Sequence, residues 1–328
     1  MPPSGGRSLA AATAGADWRR TPPDNIKDHC RTLRLRRPVR FVRKDGLRQM
    51  QNLFQFSEVR PVSPPAAYLG GKKQLAGRIA ALLEQIPHDL YVEPFTGMGG
   101  VFFRRRLVPR AEVINDISGD VTTLFRILQR HLPQLMEVMK FQITSRREFE
   151  RLAACDPATL TDLERAARFL YLQKLAFGGK ISGRTFGVDT TGGARFNVTR
   201  LTPIMEEVHE RLAGVVIECL DWRSLIERYD RPGAMFYLDP PYFGCENDYG
   251  KNVFKRDDFA EMAERLSTIK GRFMISLNDR PEVREIFARY PMTPVSLTYT
   301  IRGGEGKEVG EVVILDGKEP AIPNLPLL

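Results

Sequence analysis

The stretch "AMFYLDPPY" (Ala234 to Tyr242) constrains the fold more than any other in the chain. Five apolar residues run straight into an acid and two prolines. Proline has no backbone N–H to give to a sheet ladder, so Pro240 and Pro241 end any strand that reaches them. Asp239 is left at the strand's carboxyl end, and Tyr242 follows on a stiffened loop. In open α/β sheets ligands bind beyond that edge. The plainer alternative is an ordinary strand exit with a capping acid and a packing tyrosine.

Around this stretch, strand and helix patterns alternate. Leu75, Ile79, Leu82, Leu83 and Ile86 recur at helical spacing, and Pro87 closes that helix. "DLYVEPF" reads as a buried strand, followed by the turn "TGMGG" and a helix expected to begin near "VFFRRRL". "AEVINDIS" is a second strand ending at Asn115 and Asp116, and the pattern is helical from about Val121 to Lys140. "VVIECLDW", "AMFYL" and "RFMISLND" are further strands, with helices at "DDFAEMAERLSTI" and "PEVREIFARY". "VSLTYTI" and "EVGEVVIL" close the chain with no helix between them, so they are expected to pair antiparallel. The alternation predicts an α/β fold with a mostly parallel sheet and helices on both faces. Residues 131–202 break it: helical "LERAARFLYLQKLAF" gives way to a polar, glycine-rich run ending in "TTGGARFNVTR". That segment is expected to be a mainly helical insert between 50–130 and 203–328, which carry the sheet.

The formal charge of +9 is unevenly spread. Residues 1–50 hold 12 Lys/Arg against 4 Asp/Glu, a net +8, so the rest holds 37 against 36, a net +1. Residues 1–49, rich in Pro, Gly, Ser and Arg without an apolar period, are expected to be a disordered basic extension or a mis-assigned start, with Met50 as the natural beginning. A local excess, Lys174, Lys180, Arg184, Arg195 and Arg200 against Asp189, suits either phosphate contact or a solvated loop face. No apolar run reaches the length of a membrane span. Four dispersed cysteines without a CxxC pair argue against a zinc site or disulfide framework and fit a reducing cytoplasm. No metal site is expected.

In "VEPFTGMGG", glycines 97, 99 and 100 allow close approach of the backbone to a ligand, but the third glycine of the dinucleotide fingerprint is missing. Glu93 beside the turn would repel a pyrophosphate and tolerate a positively charged cofactor. Asp116 at the next strand end suits a ribose diol or, equally on its own, a helix cap. About twenty residues from the glycine turn, the ribose reading gains weight. Lys72 or Lys73 in "YLGGKKQ" suits a carboxylate, a phosphate or a solvated helix start.

Together, "YLGGKKQ", "YVEPFTGMGGVFF", "INDIS", "RFNV" and "LDPPYF" in this order resemble the Dam-like DNA adenine methyltransferases, from about Tyr68 to the C-terminus. The resemblance implies a Rossmann-like methyltransferase sheet, S-adenosylmethionine as cofactor, double-stranded DNA as partner and residues 131–202 as a target-recognition insert. Tyr68, Lys72, Glu93, Phe95, Gly97 and Gly99 would line the cofactor, Asp116 would hold its ribose, and Asp221 would lie near its adenine. The family often has tryptophan at the position of Tyr68 and a smaller aromatic at that of Trp222. Lys180, Arg184, Arg195 and Asn197 would face DNA.

The chemistry fits these residue types. Adenine's exocyclic amine is a poor nucleophile because its lone pair is conjugated with the ring. The Asp239 carboxylate and the Pro240 carbonyl, with Pro241 stiffening the loop, would accept its two hydrogens and turn the lone pair toward a sulfonium methyl. Tyr242 would stack on the extruded base, with Phe243 as a second wall or a buried loop anchor. The alternatives are a methyltransferase for RNA or a protein amide, and a catalytically inactive DNA-binding homologue. The resemblance leaves open a cognate restriction endonuclease as partner.

Overall fold

The structure, a computed structural model, describes residues 56–70, 72, 74–187, 195–250, 253–299 and 307–318. The expectations for residues 1–49 and for Lys73 and Asp189 lie outside them. The sheet strands are β2 (Leu90–Glu93), β4 (Ala111–Asn115), β5 (Val216–Glu218), β6 (Ala234–Leu238), β7 (Arg272–Asn278), β8 (Met292–Tyr299) and β9 (Lys307–Leu315). A small antiparallel pair stands apart, β1 (Ser57–Glu58) with β3 (Leu107–Val108). The helices are α1 (Ala76–Leu83), α2 (Gly119–Arg130), α3 (Leu132–Met139), α4 (Arg146–Ala154), α5 (Asp162–Leu175), α6 (Val198–Leu212), α7 (Trp222–Tyr229), α8 (Asp257–Ser267) and α9 (Pro281–Ile286).

The seven strands lie in the order β5-β4-β2-β6-β7-β9-β8. The first five are parallel, and β9 runs antiparallel to both β7 and β8, as the closing strands predict. From β2 the chain moves one way to β4 and β5, then returns to the other side of β2 for β6 and β7. β2 and β6 are therefore direct neighbours at the point where the winding reverses, with Val92 opposite Phe236. Such a point opens a crevice beyond the strands' carboxyl ends.

Period-two alternation decides which side chain meets which layer. On β6, Met235 and Tyr237 join the core shared with α1, α2, α3, α5 and α6. Ala234, Phe236 and Leu238 point the other way, against Trp222, Leu225 and Ile226 of α7, Phe259 and Met262 of α8, and Val283 of α9. The helices of the 131–202 segment carry their own start signals. Ser145 caps α4, and Thr161 with Glu164 forms a reciprocal capping box on α5.

Two expectations need correction. The helix expected after the glycine turn is a single 3-10 turn, Phe102–Arg104. Arg105 leaves it with extended backbone and turns its fully buried side chain inward, donating to Glu112 (2.6 Å) and to the Leu107 carbonyl (3.1 Å). So short a turn gathers little dipole, so no helix N-terminus favours anions here. The helix read from Val121 to Lys140 is broken at His131, because Pro133 fits the first turn of a new helix rather than the interior of an old one.

Candidate active site

The carboxyl ends of β2, β4 and β6 open on one cavity of about 790 Å³. The bends after Val92 and after Leu238 both face it. Tyr68, Lys72, Glu93, Phe95, Gly97, Asp116, Asp221, Asp239, Pro240, Pro241 and Tyr242 all line it, so eleven of the twelve residues expected at the cofactor and the catalytic loop converge on one space. Gly99 is the exception: its own ideal Cβ would lie 2.5 Å from the Phe103 ring, so its absent side chain serves packing of the turn.

Asn115 locks three strand exits together. Its Nδ2 donates to the carbonyls of Pro94 (2.9 Å) and Leu220 (3.0 Å), and its Oδ1 accepts from the Leu220 N–H (2.8 Å). Asp116, next along, accepts from the Gly97 N–H (2.9 Å) with one oxygen and the Ser118 N–H (2.8 Å) with the other. The carboxylate thus pins the glycine turn to the start of α2 and borders the cavity. Burial raises its pKa to about 6 against the pull of those two N–H groups. Gly97 sits at φ +51°, and a Cβ there would lie 2.7 Å from the Tyr68 ring, which packs directly over the turn.

Tyr68 is held from behind by the 131–202 segment. Gln173 of α5, fully buried, donates to the carbonyls of Ala67 (2.8 Å) and Gly179 (2.7 Å). The Leu69 N–H donates back to Gly179 (3.0 Å), and a Cβ on Gly179 would sit 3.0 Å from the Tyr68 nitrogen.

At the β6 end, Asp239 accepts from Ser276 (3.2 Å) and lies 3.2 Å from the Lys72 ammonium. Its pKa is raised to about 6, first by burial, with Lys72 pulling down and Glu311 pushing up. Glu93 is buried at the end of β2, where Tyr91 donates to it (2.6 Å), and burial pushes its pKa to about 8. Lys72 reaches protein carboxylates: its Nζ donates to Glu311 (2.8 Å) and to the Tyr242 hydroxyl (2.7 Å). Tyr242 in turn donates to Glu311 (2.5 Å). Sequence reading missed Glu311, an acid inside an ordinary strand pattern. Phe243 is a loop anchor, buried against Phe259, with both backbone polar groups on the Asn278 amide. Asp221 caps α7 through the Arg223 N–H (2.9 Å) and pairs with the Arg223 guanidinium (3.2 Å) at the cavity's edge.

Of the residues expected to face DNA, Lys180 and Arg195 are exposed. Arg184 is half-buried with its guanidinium over Phe169, and its Nε has no hydrogen-bond partner. Asn197, also exposed, caps α6 by accepting from the Arg200 N–H (3.3 Å). Among the described residues no cluster of His, Cys, Asp and Glu is arranged to hold a metal, and no helix is long and apolar enough to cross a membrane.

The described lining carries five acids, Glu93, Asp116, Asp221, Asp239 and Asp248, against three bases, Lys72, Arg104 and Lys174. With apolar walls from Phe95, Ile117, Trp222 and Phe254, that donor set suits a cationic cofactor bearing a diol and a flat heterocycle. A reversing parallel sheet with an antiparallel closing strand, a glycine turn and an acid at the neighbouring strand end together define a Rossmann-like methyltransferase. The sequence profile of D12 class N6 adenine-specific DNA methyltransferases matches residues 68–301, and the chain belongs to that family. It is 23% identical over 255 residues, 76% of its length and 96% of the relative's, to the type II methyltransferase M.CviBI of Paramecium bursaria Chlorella virus NC1A. It is 24% identical over 281 residues to the type II methyltransferase M1.LlaDCHI of Lactococcus lactis subsp. cremoris, covering 80% and 96% of the two chains. The DNA N-6-adenine-methyltransferase of Escherichia phage P1 is 26% identical over 249 residues, which are 70% of this chain and 32% of that one. The protein is an adenine-specific DNA methyltransferase, and its cofactor is S-adenosylmethionine.

Proposed function

We propose that the enzyme draws its target adenine out of double-stranded DNA and methylates the 6-amino group by direct transfer. One observation carries the reading: Asp239, Pro240 and Tyr242 share a single cavity with the glycine turn and Asp116. The Asp239 side chain is only 20% exposed, too deep for a base that stays stacked in a duplex. Bound S-adenosylmethionine supplies the electrophilic methyl. Glu93, Gly97, Asp116 and Asp221 bind and orient it, with Tyr68 and Phe95 as walls. The Asp239 carboxylate and the Pro240 carbonyl accept the two amine hydrogens and aim the nitrogen lone pair. Tyr242 stacks on the base, and Pro241 keeps the loop stiff.

Residues 131–202 read the target sequence in this proposal. Exposed Lys180 and Arg195 meet phosphates, and Arg184 and Asn197 lie in the same segment to complete the contacts. The names of the viral and lactococcal relatives, type II methyltransferases, support a modification role with a cognate restriction endonuclease as partner, and dispersed cysteines without a CxxC pair fit action in a reducing cytoplasm.

The test is Asp239→Ala, assayed for transfer of labelled methyl to DNA and for cofactor binding by calorimetry. Transfer is expected to vanish while binding persists, and wild-type turnover in the variant would refute the mechanism. RNA and protein assayed beside DNA should accept no methyl.

A further inference from the structure

We propose that Glu311 is a positioning residue for methyl transfer: by holding the Lys72 ammonium and the Tyr242 hydroxyl together, it fixes where Asp239 and the Tyr242 ring receive the base. The proposal rests on the reading of Asp239 given above.

Glu311 lies within β9, directly opposite Asn278 of β7, and its side chain is fully shielded from solvent. One carboxylate oxygen takes Lys72 (2.8 Å) and the other takes Tyr242 (2.5 Å), while Lys72 also donates to Tyr242 (2.7 Å). The three groups close a triangle. Lys72 has three protons to give, and its third neighbour is Asp239 at 3.2 Å. The ammonium is therefore shared between two carboxylates, with the shorter contact to Glu311. Asn278, paired with Glu311 across the ladder, grips the next residue of the loop, Phe243, through both backbone polar groups. β7 and β9 thus hold consecutive residues of the "DPPYF" loop by adjacent polar side chains.

Two features mark this arrangement as more than a chance surface pair. Burying a carboxylate and an ammonium costs more than burying apolar side chains of the same size, and two residues further along the same strand the position is taken by apolar Val313. In addition, Lys72 is the one non-glycine among the described residues at positive φ, +42°, a strained conformation that aims its side chain into the site. Without the Glu311 charge, Lys72 has Asp239 as its remaining carboxylate. It would then take up the acceptor that the adenine amine needs.

The experiment compares wild type, Glu311→Gln, Tyr242→Phe and Asp239→Ala in single-turnover methyl transfer, with cofactor affinity, the KM for DNA and the pH–rate profile measured alongside. Glu311→Gln keeps shape and removes charge. We expect its kcat to fall about tenfold to a hundredfold, the range for a lost charge-assisted hydrogen bond, with KM and cofactor affinity unchanged. Asp239 is faced by Lys72 ahead of α1, Glu93 of β2, Ser276 of β7 and Glu311 of β9, with Tyr237 and Tyr249 nearby. Of these, Glu311 raises its pKa and Lys72 lowers it, so the acid limb of kcat should move to lower pH in the variant. Tyr242→Phe, which leaves the buried charges in place, should lose about threefold to tenfold in kcat alone. Wild-type kcat with an unmoved acid limb in Glu311→Gln, or an equal loss of cofactor affinity, would overturn the proposal. Should that variant not fold, wild-type kcat in Tyr242→Phe would overturn it. Asp239→Ala separates the two levels: if it stays active the reading beneath the proposal fails, and if it is inactive only the role of Glu311 is at stake.

Discussion

Binding of the cofactor should expel a proton, and Glu93 is the group that loses it. Its carboxyl titrates near 8, raised by burial and opposed by the Tyr91 hydroxyl. At pH 7 about nine-tenths of it is protonated. A sulfonium entering a cavity lined by Glu93 favours the ionised form, so the pKa falls on binding and a proton leaves. If it falls to the ordinary range, about 0.9 proton is released per cofactor at pH 7. Asp116, near 6, is already mostly ionised at that pH and adds little. Calorimetric titrations at pH 7 in buffers of different ionisation enthalpy give this number directly, as the slope of observed heat against buffer heat. Affinity should rise with pH up to about 8. Glu93→Gln should abolish the slope, and S-adenosylhomocysteine, whose sulfur is neutral, should release far less. The same group affects stability. Its folded pKa lies above its unfolded value of 4.5, so ionisation opposes folding. The penalty is absent below 4.5 and grows as pH rises toward 8. The ligand-free Gln variant should therefore melt above wild type at pH 8 and together with it near pH 4.5. A zero slope for wild type, or an unchanged slope in the variant, would refute this account.

Asp116→Asn should weaken cofactor binding by about tenfold to a hundredfold, the range for a hydrogen bond to a charged group, without changing DNA affinity measured by fluorescence anisotropy. Gly97→Ala places a Cβ within 2.7 Å of the Tyr68 ring at a φ that L-residues avoid, so cofactor affinity should drop in the same calorimetric assay. Arg211→Met removes a two-pronged contact with Glu112 (2.6 and 2.8 Å), which Arg105 shares from the other side. Breaking such a buried pair costs about 3–5 kcal/mol, so scanning calorimetry should show Tm lower by roughly ten degrees. None of the three lines the cavity, so kcat at low temperature should hold.

What could be read in the sequence was local. Asp239, Pro240 and Tyr242 announce themselves because two prolines must end a strand, and the glycine turn and Asp116 because they follow apolar runs at fixed spacing. The mostly parallel direction of the sheet followed from alternation. What stayed hidden depends on contacts between distant segments. Glu311 is 239 residues from Lys72 and occupies an unremarkable strand position. Asn115 read only as a strand end, because a clamp on Leu220, 105 residues away, leaves no local signature. Arg184 stood in a basic run, and nothing in that run indicates that its side chain folds back over Phe169. The missing helix after the glycine turn has a nearer origin: Arg105 is drawn inward by Glu112, seven residues further along.

The joint made by Gln173 and Gly179 bears on any attempt to retarget the enzyme. A chimera that exchanged the helical segment for a relative's would also exchange the support behind Tyr68. A graft lacking an amide at 173 or a glycine at 179 would lose the support behind Tyr68, so on the roles proposed above a change of DNA preference would come with a loosened cofactor wall. The proposed roles thereby couple changes of target to cofactor affinity, and libraries that vary one should hold those two positions constant.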